Sequence, residues 1–241
     1  MTTMTTASAA EFAPTLTRTA RATGAWYLGL ALTGVLGFLV IRPQIFDPNS
    51  ATATFGNLMD KPGLAQAGLA LELSTVITQA VVAVWFFKLY RGANPVSAAA
   101  IMVFGMANAA AVMASAMFMG TALAVTTDSS LGNLDGAPTV QLLYVLSQNA
   151  WAVGNVFFGL WLIPMGWAVL QSGFAPRPLG WLLIVGAVCY VASAVVAFAM
   201  PDAPAAVVDG IVLPASLGEF WMIAYLLVRG IRRPRGAGAT L

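Results

Sequence analysis

The stretch at residues 96–125 reads VSAAAIMVFGMANAAAVMASAMFMGTALAV and carries no charged side chain. A helix rises about 1.5 Å per residue, so about 20 apolar residues cross the hydrocarbon core of a bilayer. This stretch is longer than that minimum, which predicts a transmembrane helix that tilts or projects from the membrane. This stretch alone therefore indicates a membrane-spanning protein.

The overall composition supports a membrane-embedded protein. Apolar residues make up 59% of the 241-residue chain, and charged residues make up only 8%. A soluble domain has about 25% charged residues, because its surface is wetted by water. Most of the surface of this chain is therefore expected to face lipid.

Six apolar segments are long enough to span a bilayer. They lie at about residues 24–41, 64–90, 96–125, 140–170, 179–200 and 211–229. They predict an all-α fold, a polytopic membrane helix bundle with about six transmembrane helices, multi-pass in the cell membrane. The predicted domain covers residues 21–232, between a mobile N-terminal tail at 1–20 and a basic C-terminal tail at 233–241.

The positions of the basic residues predict the orientation. With the N-terminus inside, the inner segments carry nine lysines and arginines, and the outer loops carry two, Arg42 and Lys61. Cytoplasmic loops are enriched in lysine and arginine. Both termini are therefore predicted to be cytoplasmic.

Several kinds of chemistry lack the residues they need. The chain has no histidine and a single cysteine, Cys189. Cysteine-based zinc sites, histidine metal ligands and a Cys–His nucleophile are excluded, and no metal or cofactor is predicted. We find no nucleic-acid motif. The expected partners are membrane lipids and a lipophilic small molecule, and the sequence leaves a homo-oligomer open.

Two glutamates, Glu72 and Glu219, fall inside predicted spans. A carboxyl group at membrane depth is costly and rarely faces lipid. Each lies about 12 Å below the outer surface, so the pair is predicted to line one shared cavity. No lysine or arginine is predicted at that depth to neutralise them. We therefore single out both carboxyl groups as candidate catalytic residues.

Other polar residues recur at helical spacing within the spans, as if they point to a common interior. They provide the predicted binding residues, and interhelical hydrogen bonding is the alternative reading for such side chains. The predicted binding residues are Thr75 and Gln79 in the second span, Asn108 in the third, Tyr144, Gln148, Trp151 and Asn155 in the fourth, and Tyr190 in the fifth.

Residues 157–191 read FFGLWLIPMGWAVLQSGFAPRPLGWLLIVGAVCYV. This stretch resembles the bacterial integral membrane family named domain of unknown function 4386 (DUF4386). The most specific part is SGFAPRPLG at 172–180, and the Leu217–Gly218–Glu219 triplet is also similar. The resemblance covers about residues 20–232. It implies a six-helix membrane protein, and it supplies neither an activity nor catalytic residues.

The sequence leaves several functions open. The leading hypothesis is an intramembrane polar pocket that contains the two glutamates and binds a lipophilic or amphiphilic small molecule. An alternative is a membrane-embedded enzyme that uses a protonated glutamate on an isoprenoid or lipid substrate, with terpene-cyclase-like chemistry. A proton-coupled transporter and a structural membrane subunit are further alternatives. Whether the chain is an enzyme is not decided at this level.

Overall fold

The computed structural model describes residues 6–200 and 204–232, with side chains from Thr15 onward except at 205 and 207–209. Within these ranges the chain is helical and contains no strand. The proposed tail at 233–241 and the first five residues of the tail at 1–20 lie outside the described residues. The first helix begins at Thr6.

The six predicted spans are confirmed. The helices long and apolar enough to cross a membrane are Thr15–Ile45, Pro62–Tyr90, Pro95–Thr127, Gly136–Ser172, Arg177–Ala199 and Gly210–Val228. Helices are expected here because every backbone N–H and C=O inside lipid must find a partner within the segment. The first span is longer at both ends than predicted. The cytoplasmic placement of the termini stays a prediction.

The first span is built from three consecutive pieces. Helix α1, Thr6–Gly34, continues into a π-helical stretch, Val35–Ile41, and then into the short helix α2, Arg42–Ile45. Pro43 is the second residue of α2. A proline inside a helix removes a hydrogen-bond donor and clashes with the carbonyl four residues earlier. A wider π turn upstream accommodates such a residue.

The remaining helices follow with short connections. They are α3 at Ala51–Asp60, α4 at Pro62–Tyr90, α5 at Pro95–Thr127, α6 at Gly136–Ser172, α7 at Arg177–Ala199 and α8 at Ala205–Val228. Helix α3 is capped by Ser50, whose side chain accepts a hydrogen bond from the backbone N–H of Ala53. A 3₁₀ turn at Ser129–Leu131 precedes α6.

The SGFAPRPLG segment forms the tight turn between α6 and α7. Gly173 has φ +64°, the left-handed conformation that glycine adopts most readily at a helix C-terminus. Pro176 is the N-cap residue of α7, and Pro178 lies in its first turn, where a missing N–H costs no helical bond. Gly173 follows the end of α6 and the two prolines start α7, so this segment turns tightly between two spans.

The chain divides into two compact units. Unit one takes in the chain up to Leu28, Val81–Gly105 and the chain from Val156 onward. Small residues let its helices approach closely: a Cβ at Gly166 would lie 2.5 Å from the carbonyl oxygen of Gly180. Likewise, a Cβ at Gly186 would lie 2.5 Å from the Cα of Ala215. Close packing at small residues is the usual way in which helices associate in lipid.

Unit two takes in Gly29–Ala80 and Met106–Asn155. An apolar cluster joins α2, α3, α4, α5 and α6; its buried members are Ile45, Phe46, Leu58, Ala65, Met119, Ala122, Val140 and Tyr144. The connection from α2 to α3 is held by Asn57, which donates to the carbonyl of Ile45, and by Gln141, which donates to the carbonyl of Asp47. This packing fixes the position of α2, and with it the position of Arg42.

Candidate functional site

Glu72 lies at the centre of a buried polar cluster in unit two. It is 3% exposed, and three donors from three elements converge on its Oε1 atom. Arg42 Nη2 donates at 3.3 Å, Trp151 Nε1 donates at 2.6 Å, and the hydroxyl of Ser115 also donates. We call the set Arg42, Glu72, Ser115, Ser147 and Trp151 the Arg42–Glu72 cluster.

The two serines connect the ion pair by a second route. Arg42 Nη2 lies 2.7 Å from the hydroxyl oxygen of Ser147, and the two serine oxygens lie 2.7 Å apart. Because Ser115 gives its only hydroxyl hydrogen to Glu72, Ser147 must donate to Ser115. The hydrogen bonds therefore run in one direction, from Arg42 through Ser147 and Ser115 to Glu72.

The π-helical stretch delivers Arg42 to this cluster. The backbone N–H of Arg42 bonds the carbonyl of Gly37, five residues earlier. Each such bond adds a residue to the turn, so the direction of the next side chain changes relative to an α-helix. Arg42 is consequently 5% exposed, and its guanidinium lies 5.0 Å from the centre of the Phe38 ring. π-Helical turns are frequent at functional sites.

The sequence prediction for Arg42 is wrong. The sequence pattern assigns Arg42 to an outer loop and predicts no cation at the depth of the glutamates. The structure instead puts Arg42 in a membrane-spanning helix and pairs it with Glu72. The sequence does not reveal this pairing, because the last apolar residue before Arg42 looks like the end of the span and the π turn has no sequence signature.

The predicted stripe on the second span is buried as expected. Thr75 and Gln79 follow Glu72 on α4 and are 1% and 0% exposed. Thr75 bonds the carbonyl of Leu71 in its own helix. Asn108 on α5 is 1% exposed, and Ser115 is completely buried on the same helix.

Of the four residues predicted on α6, one is buried and one bonds Glu72, and their role in binding stays a prediction. Tyr144 is buried and stacks on Phe46 at 5.6 Å, and Trp151 belongs to the cluster. Asn155 is partly buried. Gln148, however, is exposed. The neighbouring Ser147, which the sequence pattern does not predict, accepts a hydrogen bond from Arg42 and belongs to the cluster. Residues three and four positions after Tyr144 lie on the same side of a helix, so spacing alone does not choose between Ser147 and Gln148.

Glu219 has its own partners in unit one. Tyr27 donates to its Oε1 at 2.6 Å, and Tyr190 donates to its Oε2 at 2.9 Å. The indole N–H of Trp161 lies close to this carboxyl without the geometry of a hydrogen bond. We call Tyr27, Trp161, Tyr190 and Glu219 the Glu219 cluster. The sequence predicts Tyr190 and misses Tyr27, which lies in the first span, where no binding residue is predicted.

Aromatic rings surround the Glu219 cluster. Tyr27 meets Phe86 at 5.4 Å and Trp161 at 5.5 Å, both edge to face, and Phe158 stacks on Tyr190 at 5.7 Å. Such pairs add to packing energy and fix ring orientation. The two glutamates thus have separate partners in separate units, and the shared cavity stays a prediction.

Two further features bear on ligand binding. Among the residues the structure describes, no three acidic, cysteine or histidine side chains come together as metal ligands would. A groove of about 300 Å³ in unit one is lined by Val96, Ser97, Ala100, Phe104, Leu160, Ile163, Pro164 and Trp167. Its accessible lining is almost entirely apolar and suits contact with hydrocarbon.

Comparison with known proteins gives one match. A family model described as domain of unknown function (DUF4386) matches residues 22–230. No curated protein and no solved structure matches the chain.

Proposed function

Because the chain belongs to the DUF4386 family, whose description gives no activity, we propose a function from the geometry of its buried polar groups. The protein is an integral membrane protein with six spanning helices. It binds an amphiphilic small molecule inside the membrane, and the Arg42–Glu72 cluster holds the polar head of that molecule.

One observation carries this proposal: the guanidinium of Arg42 is only partly used. All hydrogen bonds from its side chain come from Nη2, whereas the buried Nε and Nη1 have no partner among the described residues. A buried charged donor without an acceptor is costly, and it is more so in lipid than in a wetted interior. A head group that carries an acceptor oxygen would supply what these atoms lack.

The chemistry of arginine narrows the class of head group. A guanidinium has five N–H donors and no acceptor, and it binds carboxylate and phosphate oxygens especially well. Glu72 already neutralises the charge of Arg42, so a neutral head with a carbonyl or hydroxyl oxygen also fits. The apolar remainder of the ligand would contact hydrocarbon, and the side chains of Leu73 and Ile77 on the same helix are exposed and apolar, as lipid contact requires.

Native mass spectrometry of protein released from its own membrane tests the proposal. Wild-type protein should carry a copurifying amphiphile, and Arg42→Gln should lose at least about nine-tenths of it, since the head group loses its donors. Arg177→Gln is the matched control, because Arg177 is an exposed arginine outside the cluster. Equal adducts in all three proteins, or none in the wild type, would contradict the proposal.

A second candidate function has its own support in the Glu219 cluster. A carboxyl group that two phenols hold among aromatic rings resembles an acid-catalysis site, since a protonated Glu219 could give its proton to an olefin or epoxide. The rings of Tyr27, Trp161 and Tyr190 would stabilise the cation that forms, and the carboxylate would take a proton back at the end.

Incubation of the purified protein with prenyl alcohols and prenyl epoxides tests this candidate. Cyclised or isomerised products that disappear in Glu219→Gln and persist in Arg42→Gln would support it. Turnover that survives Glu219→Gln would remove it.

A further inference from the structure

A second polar layer lies next to the Arg42–Glu72 cluster, and its groups are unsatisfied. Gln79 and Asn108 are 0% and 1% exposed. Both nitrogens and both oxygens of these amides lack a hydrogen-bond partner within the described part of the chain. Buried polar side-chain atoms almost always have partners, so the orphaned atoms at this level require an explanation.

The helix register brings the two amides to the same level. Glu72 on α4 bonds Ser115 on α5, and these helices are antiparallel because a short connection joins them. Gln79 lies seven residues after Glu72, and Asn108 lies seven residues before Ser115. Two turns along both helices therefore lead from the Glu72–Ser115 hydrogen bond to the level of Gln79 and Asn108, about 10 Å further along α4.

Helix α6 shows the same seven-residue spacing between the cluster and the level of the two amides. Ser147 belongs to the cluster, and seven residues later a Cβ at Gly154 would lie 3.1 Å from Oδ1 of Asn108. Glycine at this position leaves the amide without a side chain opposite it. Three helices thus contribute to the polar level around Gln79 and Asn108.

We propose that Gln79 and Asn108 form a binding site for an uncharged group that both donates and accepts hydrogen bonds. Each amide offers two donor hydrogens and one acceptor oxygen, so water and the hydroxyl or amide of a small molecule share the required chemistry. A bare cation would satisfy the two oxygens and leave both nitrogens without a partner. The site is distinct from the proposed head-group site, because Arg42 takes no part in it.

Cysteine labelling measures whether water or a polar group is present beside Gln79 and Asn108. The background is Cys189→Ala, which removes the only native thiol. Thr75→Cys places a thiol one turn from Gln79 and leaves both amides intact. Because the thiolate is the reactive form, a small polar methanethiosulfonate reagent labels a thiol only where water or a polar group supports its ionisation. Ala122→Cys is the matched control, fully buried in the apolar cluster of unit two.

The expected result is that, after extraction into detergent, the Thr75→Cys protein is labelled at least about tenfold faster than the Ala122→Cys protein, because only the first thiol lies beside a polar level. Its rate should return to the control rate when Gln79→Leu and Asn108→Leu are added. Equal rates in the two single-thiol proteins after extraction into detergent would overturn the proposal. If Thr75→Cys fails to fold, Ala111→Cys replaces it, because Ala111 packs beside Gly154 next to Asn108.

The same assay distinguishes the two sources of the ligand. If water fills the site, the labelling rate of the Thr75→Cys protein is the same in native membranes and in detergent. If a small molecule fills it, labelling is slow in native membranes and rises after extraction, and native mass spectrometry shows the corresponding mass. Loss of that mass in Asn108→Leu but not in Arg42→Gln separates this site from the proposed head-group site.

Discussion

Replacing Arg42 and Glu72 by leucine, singly and together, tests the energetics of the buried pair. The two side chains are 5% and 2% exposed, and Arg42 Nη2 lies 3.3 Å from Glu72 Oε1. Removing one partner of such a pair leaves an uncompensated buried charge, which costs about 3–5 kcal/mol. Replacing both by apolar residues of similar volume is often neutral or stabilising.

The double variant should therefore lie within about 3 kcal/mol of wild type, because Ser115, Ser147 and Trp151 each lose one hydrogen bond worth about 1 kcal/mol. The two single variants together should cost about 6–10 kcal/mol. The coupling energy of the cycle, which isolates the pairwise contribution, should then exceed about 3 kcal/mol.

Equilibrium unfolding in mixed micelles, followed by helical circular dichroism, gives these free energies. Lys61→Leu is the control for loss of an exposed cation and should stay within about 0.5 kcal/mol of wild type. If the two single effects simply add in the double variant, Arg42 and Glu72 are not coupled and the reasoning about this site fails.

Three further predictions address packing, the second carboxyl and a loop cap. Gly186→Ala should destabilise the protein by about 1–3 kcal/mol, because α8 backbone lies 2.5 Å from the new Cβ. Gly34→Ala should be neutral or stabilise by up to about 1 kcal/mol in the same unfolding assay, because no atom of the described residues would lie within 4 Å of its Cβ. Equal effects of the two substitutions would contradict the packing argument. Tyr27→Phe removes one donor from Glu219 and should cost about 1–3 kcal/mol, whereas no measurable loss in unfolding would show that the hydrogen bond is absent. The exposed cap residue Asp128 has its pKa lowered from 3.8 by hydrogen bonds from Ser130, so its ionised form supports the turn above pH 3.8 and that support is lost as pH falls through the lowered value. The protection of the Ser130 amide against hydrogen exchange, relative to an unfolded peptide at the same pH, should fall over this pH range, and unchanged protection would be the contrary result.

The sequence predicts the membrane architecture well because the relevant signals are local. Length and hydropathy identify each span without knowledge of its neighbours, and the glycine and prolines of the α6–α7 turn act through their own backbone preferences. The buried stripe from Glu72 to Gln79 is also readable, since a helix of known phase repeats its inward face.

The polar cluster is less predictable because its partners are far apart in sequence. Arg42 is 30 residues from Glu72 and 105 residues from Ser147. Its inward direction depends on a π turn that shifts helical phase, and the choice of Ser147 over Gln148 depends on a difference of one residue. Tyr27 is not predicted because a tyrosine in an apolar span cannot be distinguished from a packing residue until the partner of its hydroxyl is known.

A cryo-electron microscopy map of the protein purified from its own membrane tests the central claim most directly. We expect density within hydrogen-bonding distance of Nε and Nη1 of Arg42 that continues into an apolar tail. Water alone at these atoms, or side chains of the protein itself, would contradict it.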